Sequence, residues 1–201
     1  MNDIIRRVIE SHGAFRLVLA IPGIIILSRY ALSGGGLGQV IEASGEWAVR
    51  MLIITLAVTP IRMMFRHRHW PMWLFKRRRE LGVAAFLYAM LHMAAYVLRQ
   101  SSPAVLLYDA MYAEYLLGWI ALTTMFLPFV FSNDVSLRLM GPWWKMIQRL
   151  VYVSAVAAFL HWIWIKRDDL PAYIHFGPLV ALELYRLWFE FTRPSRRHRG
   201  E

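Results

Sequence analysis

Two of the seven histidines occupy positions where an imidazole is costly unless it has a partner. His92 lies in the stretch 86–96 and His161 in the stretch 157–164, and the residues around both are almost entirely apolar. A histidine in such a stretch either forms a hydrogen bond to a neighbouring helix or ligates a metal through a ring nitrogen. For each histidine taken alone, both interpretations stay open.

The other histidines lie in more polar surroundings and favour simpler roles. His12, His67, His69 and His198 fall near the termini or in a basic loop, where solvated or interfacial side chains are expected. His175 lies at the start of an apolar stretch, where it could touch a partner or the edge of a cofactor.

The absence of cysteine restricts the chemistry further. Disulfides, thiolate nucleophiles, iron–sulfur clusters, zinc–thiolate sites and covalent c-type haem attachment are excluded. Any metal must be held by nitrogen, oxygen or thioether groups. The glycine-rich stretch 33–38 lacks the lysine and hydroxyl residue that end a phosphate-binding loop, so it indicates a flexible loop.

Composition indicates the elements that must position the two histidines. Of the 201 residues, 58% are hydrophobic, against about 45–50% in a soluble domain. A soluble fold of this size cannot hide so much apolar surface. Six apolar stretches near the roughly 20 residues that span a bilayer predict an all-α integral membrane protein, a six-transmembrane-helix bundle forming one domain over residues 1–201. These stretches are 14–32, which we expect to be retained rather than cleaved as a signal peptide, 47–63, 81–98, 115–131, 147–165 and 172–191.

The distribution of positive charge predicts the orientation. The formal net charge is +10, and the basic residues cluster before the first stretch, in alternate loops and after the sixth stretch. The positive-inside rule then places both termini in the cytoplasm. Anionic lipid headgroups are the expected contacts of these loops, and no basic face interleaved with aromatic residues favours nucleic acid. The residues concerned are Arg6, Arg7, Arg62, Arg66, Arg68, Lys76, Arg77, Arg78, Arg79, Arg138, Lys145, Arg149, Arg193, Arg196, Arg197 and Arg199.

The two histidines are predicted to lie at one depth. His92 is seven residues before Arg99 and His161 is five residues before Lys166, on stretches that both run outward. Imidazoles at one level on two helices of a bundle can occupy the two axial positions of one haem iron. Zinc is less favoured because no third ligand of the usual kind lies at this depth. Alanines on both helices leave room for a flat macrocycle or allow close packing; they are Ala84, Ala85, Ala89, Ala94, Ala95, Ala155, Ala157 and Ala158.

A series of short motifs resembles one known family. The run Arg79-Glu80-Leu81-Gly82, followed by Phe86, Tyr88-Ala89, Leu91-His92 and Tyr96, is similar to the third helix of the MsrQ family, formerly called YedZ. These are the haem-binding membrane subunits of bacterial protein-methionine-sulfoxide reductase systems, within the ferric reductase-like transmembrane superfamily. Further matches extend the resemblance over about residues 12–192 in the same order: Gly35–Gly38, Ser44–Ala48, Thr59-Pro60, Trp143-Trp144, Arg149–Tyr152, His161-Trp162 and Trp164.

The resemblance implies a function as well as a fold. It implies b-type haem, an associated flavin (FMN), and electron entry from the quinone pool or a cytoplasmic flavin reductase. Electrons would cross the bacterial inner membrane to a periplasmic molybdopterin partner, MsrP, in a heterodimer that repairs methionine sulfoxide in oxidised proteins. The chain would then be an electron-transfer subunit rather than the catalytic subunit. The alternatives are a free-standing ferric or quinone reductase of cytochrome b type, and a non-redox scaffold or transporter whose histidines only join helices.

One position departs from the family pattern. A further histidine usual at the cytoplasmic end of the fifth helix is Gln148 here, 13 residues before His161, or about 20 Å along a helix. Glutamine is a poor iron ligand, so one haem is expected and a second is doubtful. The cluster Arg77, Arg78 and Arg79 is expected to face a flavin phosphate or haem propionates. The spacing of three residues between Glu183 and Arg186 predicts an ion pair, which faces the interior of the bundle or a haem propionate.

Overall fold

The computed structural model describes residues 11–166 and 169–192, and within these ranges the chain forms nine helices and no strand. Short connections join them, and Gly34 adopts a left-handed conformation in the turn after the first helix. In chain order the helices are α1 (His12–Ser33), α2 (Leu37–Met64), α3 (Trp70–Lys76), α4 (Arg78–Arg99), α5 (Pro103–Asp109), α6 (Ala113–Val130), α7 (Asp134–Met140), α8 (Pro142–Lys166) and α9 (Asp169–Thr192).

Five of these helices are long and apolar enough to cross a membrane: α1, α2, α4, α6 and α8. They coincide with the first five predicted stretches and confirm an all-helical membrane protein. α9 covers the sixth stretch with 24 residues, but it is not among the five, and its C-terminal half carries three charged side chains. The sixth span and the position of the termini therefore stay predictions. Arg6, Arg7 and the tail 193–199, which includes His198, lie outside the described residues.

Two helices begin earlier than hydropathy predicts. α2 starts at Leu37, ten residues before the predicted stretch, and α8 starts at Pro142. Polar residues and glycine lower the hydropathy of these first turns, but the only proline in them is Pro142, at the first helical position, where proline is tolerated. The early start of α2 matters because this part of the helix contacts His92.

The helices pack as two close pairs, α2 with α4 and α6 with α8, and α2 also contacts α1, α8 and α9. Small side chains allow this close approach. The eight alanines singled out in the sequence divide among three environments, and Ala94 is exposed. Ala84, Ala85, Ala95, Ala155 and Ala157 are buried between helices, whereas Ala89 and Ala158 line a cavity.

Candidate functional site: a histidine pair in the bundle

His92 on α4 and His161 on α8 meet in the interior of the bundle. Their ring centroids are 6.3 Å apart and the ring planes are nearly perpendicular, at 88°. The structure thus brings together the two residues that the sequence places at one depth.

Hydrogen bonds to the backbone determine which ring nitrogen carries the proton. His92 Nδ1 lies 2.7 Å from the carbonyl oxygen of Ile41, and His161 Nδ1 lies 2.5 Å from that of Glu114. A carbonyl oxygen only accepts, so each Nδ1–H must be the donor. In the neutral imidazole Nε2 then keeps its lone pair, which is the tautomer that a metal-binding histidine needs.

Each imidazole also lies against a glycine one helical turn after the acceptor. A Cβ atom on Gly45 would approach His92 Nδ1 to 2.8 Å, and one on Gly118 would approach His161 Cε1 to 2.9 Å. Both distances are too short for any side chain to be present. The same local arrangement, a carbonyl at position i and a glycine at i+4, therefore supports both histidines, on α2 and on α6. The sequence analysis missed the role of these glycines. Gly118 lies inside the predicted stretch 115–131, which was one available signal, whereas Gly45 lies two residues before the stretch 47–63.

The two histidines line a cavity of about 440 Å³ between α2, α4, α6 and α8, within the usual range of about 300–1,000 Å³ for ligand pockets. The two ends of the cavity differ in polarity. One end is apolar and is lined by residues such as Leu52, Ala121, Leu122 and Met125, whereas the other carries the polar groups. These polar lining residues are Glu42, Glu46, Tyr96, Arg99, Gln100, Tyr115 and Lys166.

Two observations fit a flat metal-bearing macrocycle in this cavity. Two imidazole–metal bonds of about 2.0 Å each, with the distances from the ring centres to their nitrogens, match the 6.3 Å separation. The glycines leave the room that side chains would fill.

The donor set does not suit a bare metal ion. No group of three or more histidine, aspartate or glutamate side chains that could hold an ion occurs in ranges 11–166 and 169–192. Structural and catalytic zinc sites use at least three protein ligands. Two imidazoles alone suit an iron whose other four ligands come from a porphyrin.

The structure does not bring the three clustered arginines to one site. The guanidinium of Arg77 is buried and lies 4.1 Å from the centre of the Trp73 ring. Arg78 Nε donates to a backbone carbonyl of α2 at 3.1 Å, and Arg79 forms an ion pair with Asp134 at 2.6 Å. Each arginine is held by a different element, so the three do not form a shared anion pocket.

Gln148 lies in a differently packed part of the bundle. Its amide Nε2 donates to the carbonyl oxygen of Pro128 on α6 at 3.0 Å. Phe86 and Phe129 stack with centroids 4.3 Å apart, and Phe126 lies beside Phe86. We call this region, with Gln148, Phe86, Phe126 and Phe129, the glutamine end, and the region around His92 and His161 the histidine end.

His175 on α9 contacts the histidine end from outside. Its ring lies 5.1 Å from that of Trp162, and its Nδ1–H donates to the carbonyl of Pro171. Its Nε2 accepts from Arg50 Nε at 3.4 Å, and Arg50 pairs with Glu46 at 2.8 Å. His175 thus touches a cavity-lining residue but does not itself line the cavity.

The predicted pair of Glu183 and Arg186 forms, at 3.3 Å. Arg186 also pairs with Glu190 and donates to the hydroxyl of Tyr152 on α8. None of these four side chains lines the histidine cavity, so the pair faces the bundle rather than that site.

Comparison with known proteins defines the class. Residues 44–159 match the family model of the ferric reductase like transmembrane component, a match that contains His92, Gly45 and Gly118 and ends two residues before His161. No solved structure matches.

Three relatives indicate to which group within this family the chain belongs. The chain is 32% identical over 160 residues to the protein-methionine-sulfoxide reductase heme-binding subunit MsrQ of Herminiimonas arsenicoxydans, covering 76% of this chain and 72% of the relative. It is 35% identical over 164 residues to MsrQ of Brucella anthropi, covering 78% and 72%, and 36% identical over 145 residues to MsrQ of Rhizobium meliloti, covering 71% and 65%. The chain therefore belongs to the ferric reductase-like transmembrane family and, within it, to the MsrQ group.

Proposed function

We propose that the protein is a membrane cytochrome of b type, in which His92 and His161 ligate one haem through their Nε2 atoms. The observation that carries the proposal is the pair of Nδ1–H bonds to the carbonyls of Ile41 and Glu114. These bonds orient both rings and leave a lone pair on each Nε2. The named relatives are haem-binding subunits, which supports the same assignment.

The proposed role is electron transfer rather than substrate chemistry. A bound haem supplies a one-electron carrier, and this chain holds it between fixed ligands in a largely apolar cavity. His92 and His161 would ligate the haem iron, and Gly45 and Gly118 admit their rings. These groups determine the position and the potential of the carrier.

We propose a single haem. At the glutamine end the amide of Gln148 donates to the Pro128 carbonyl, and Phe129, the next residue of α6, is stacked on Phe86. The resemblance to the MsrQ family also implies FMN as a second cofactor. Arg77, Arg78 and Arg79 do not gather around one pocket, so we assign no flavin residues.

We further propose the topology and partners that the family implies. α9 would be the sixth span, both termini would face the cytoplasm, and the protein would lie in the bacterial inner membrane. Electrons from the quinone pool or a flavin reductase would pass through the chain to a periplasmic molybdopterin subunit, MsrP, in a heterodimer. The names of the relatives, subunits of a protein-methionine-sulfoxide reductase, support this assembly.

An absorption spectrum of the purified protein tests the central claim. We expect a reducible b-type Soret and α band and a ratio of one haem per chain. A protein without bound haem after expression under haem-replete conditions would overturn the assignment and favour a scaffold or transporter.

A free-standing ferric or quinone reductase is the second candidate, and the family match to a ferric reductase like component favours it. Co-purification separates the two. Recovery of a molybdopterin protein with the tagged chain supports the subunit role, whereas ferric or quinone reduction by the isolated chain supports the alternative.

A further inference from the structure

The polar end of the histidine cavity contains two cations with different surroundings. Lys166 Nζ forms ion pairs with Glu42 at 2.5 Å and Glu46 at 3.5 Å. Arg99 also lines the cavity, but it has no carboxylate within 4.0 Å among the described residues. The acid nearest in sequence on α5, Asp109, accepts hydrogen bonds from Tyr96 and Gln100 instead. Arg99 is therefore the cation at this end whose charge the described side chains do not neutralise.

The helix geometry aligns Arg99 with the ligating histidine. Arg99 is seven residues after His92, which places it on the same face of α4 and about 10 Å further along the axis. Lys166, five residues after His161, is rotated by about 140° from it on α8. The Arg99 guanidinium extends towards α2, where its Nη1 would lie 3.6 Å from a Cβ on Gly38. It therefore lies across the polar end of the cavity.

The charge distribution of a haem is complementary to that of the cavity. One edge carries two propionate carboxylates and the rest of the macrocycle is largely apolar. Burying carboxylates at the end formed by Leu52 and Met125 would be costly, whereas the polar end offers a guanidinium, which matches carboxylates in charge and geometry.

We propose that Arg99 binds a haem propionate, so that the macrocycle stands in the cavity with its acidic edge at the ends of α4 and α8 and its apolar edge at Leu52 and Met125. This inference rests on the proposed haem site at His92 and His161. It adds the orientation of the haem and a residue that determines it.

A double-mutant cycle between protein and ligand tests the proposal. Full-length protein is freed of haem and titrated with haem b and with its dimethyl ester, in which both propionate charges are absent. The wild type should prefer haem b by about tenfold, as a hydrogen bond to a charged group predicts. Arg99→Gln should lose most of that preference, and the control Arg138→Gln, an exposed α7 residue, should keep it.

The other outcomes are equally informative. An undiminished preference in Arg99→Gln would overturn the proposal, as would a preference lost in Lys166→Gln but kept in Arg99→Gln. If Arg99→Gln does not accumulate, Arg99→Met, which retains the aliphatic stem, is read by the same criteria. A wild type that binds neither ligand would overturn the haem site itself, and the orientation with it.

Discussion

At the histidine end and at the glutamine end, a side chain of α8 contacts α6 in the same way. The two ends differ in whether that side chain still has an atom that can bind a metal. At both ends a side chain of α8 donates to a backbone carbonyl of α6: His161 to Glu114, and Gln148 to Pro128. After this bond the imidazole still has a nitrogen lone pair. Glutamine has only an amide oxygen, which is a poor ligand for haem iron. A shared anchoring mode therefore yields a candidate metal ligand at one end only.

The space around the two ends differs in the same sense. Glycines at 45 and 118 leave room beside both imidazoles, and the cavity opens there. At the glutamine end Phe86 is buried and stacked on Phe129. The histidine end thus contains a cavity between the helices, whereas aromatic side chains pack against each other at the glutamine end.

Removing either imidazole should have the largest effect on haem binding at the histidine end. His92→Ala and His161→Ala should each reduce bound haem by more than tenfold, because a single axial ligand remains. The haem-to-protein ratio of the purified variants is the measurement, and His69→Ala, in the exposed loop, is the control. Full haem retention in either variant would contradict the axial pair.

Filling the space beside the imidazoles should have the next largest effect. Gly45→Ala and Gly118→Ala place a Cβ within 3 Å of a ring atom, which displaces the ring from its carbonyl acceptor. Loss of such an orienting bond typically weakens metal binding about 10–100-fold, and haem titration of the variants measures it. Gly177→Ala, where a Cβ meets nothing within 4 Å, is the matched control. If all three variants bind haem alike, the glycines are not required for the site.

Gln148→Ala should leave the haem content unchanged, in contrast to the histidine variants, because the glutamine end is not expected to bind haem. The variant loses one partly buried hydrogen bond, which destabilises the fold by about 1 kcal/mol. Haem stoichiometry and thermal unfolding in detergent measure the two effects separately. A fall to half the haem would show that the glutamine end holds a second macrocycle.

The smallest effect is expected for the ion pair at the surface of the glutamine end. The hydrogen bond and the charge of Arg79 lower the pKa of the exposed Asp134 carboxyl below its ordinary value of 3.8. A lowered pKa in the folded state contributes stability above the ordinary value, and this contribution is lost as pH falls through the lowered value.

Asp134→Asn should therefore lower the unfolding temperature slightly near neutral pH, and the difference from wild type should disappear as the pH falls through the lowered pKa of Asp134. Added salt should shrink it, and the haem content should not change. A loss of cofactor in this variant would instead tie Arg79 to a cofactor site.

The membrane class, five of the helices and the common depth of the two histidines could be predicted from the amino-acid sequence. These follow from hydropathy and from the fixed rise of a helix, which are local properties of the chain. The start of α2 at Leu37 was not predicted, because polar residues and glycine lower the hydropathy of its first turns although the helix continues through them.

Only the packing of the helices shows which histidine nitrogens form hydrogen bonds and where a cavity remains beside the rings. The carbonyls of Ile41 and Glu114, and the glycines one turn later, belong to helices remote in sequence from the rings that they support. The same holds for Arg77, Arg78 and Arg79, which are adjacent in sequence but bind to different elements. Contacts between helices depend on rotation and packing, which no single stretch encodes, so the cavity and its polar end emerge only when all four helices are in place.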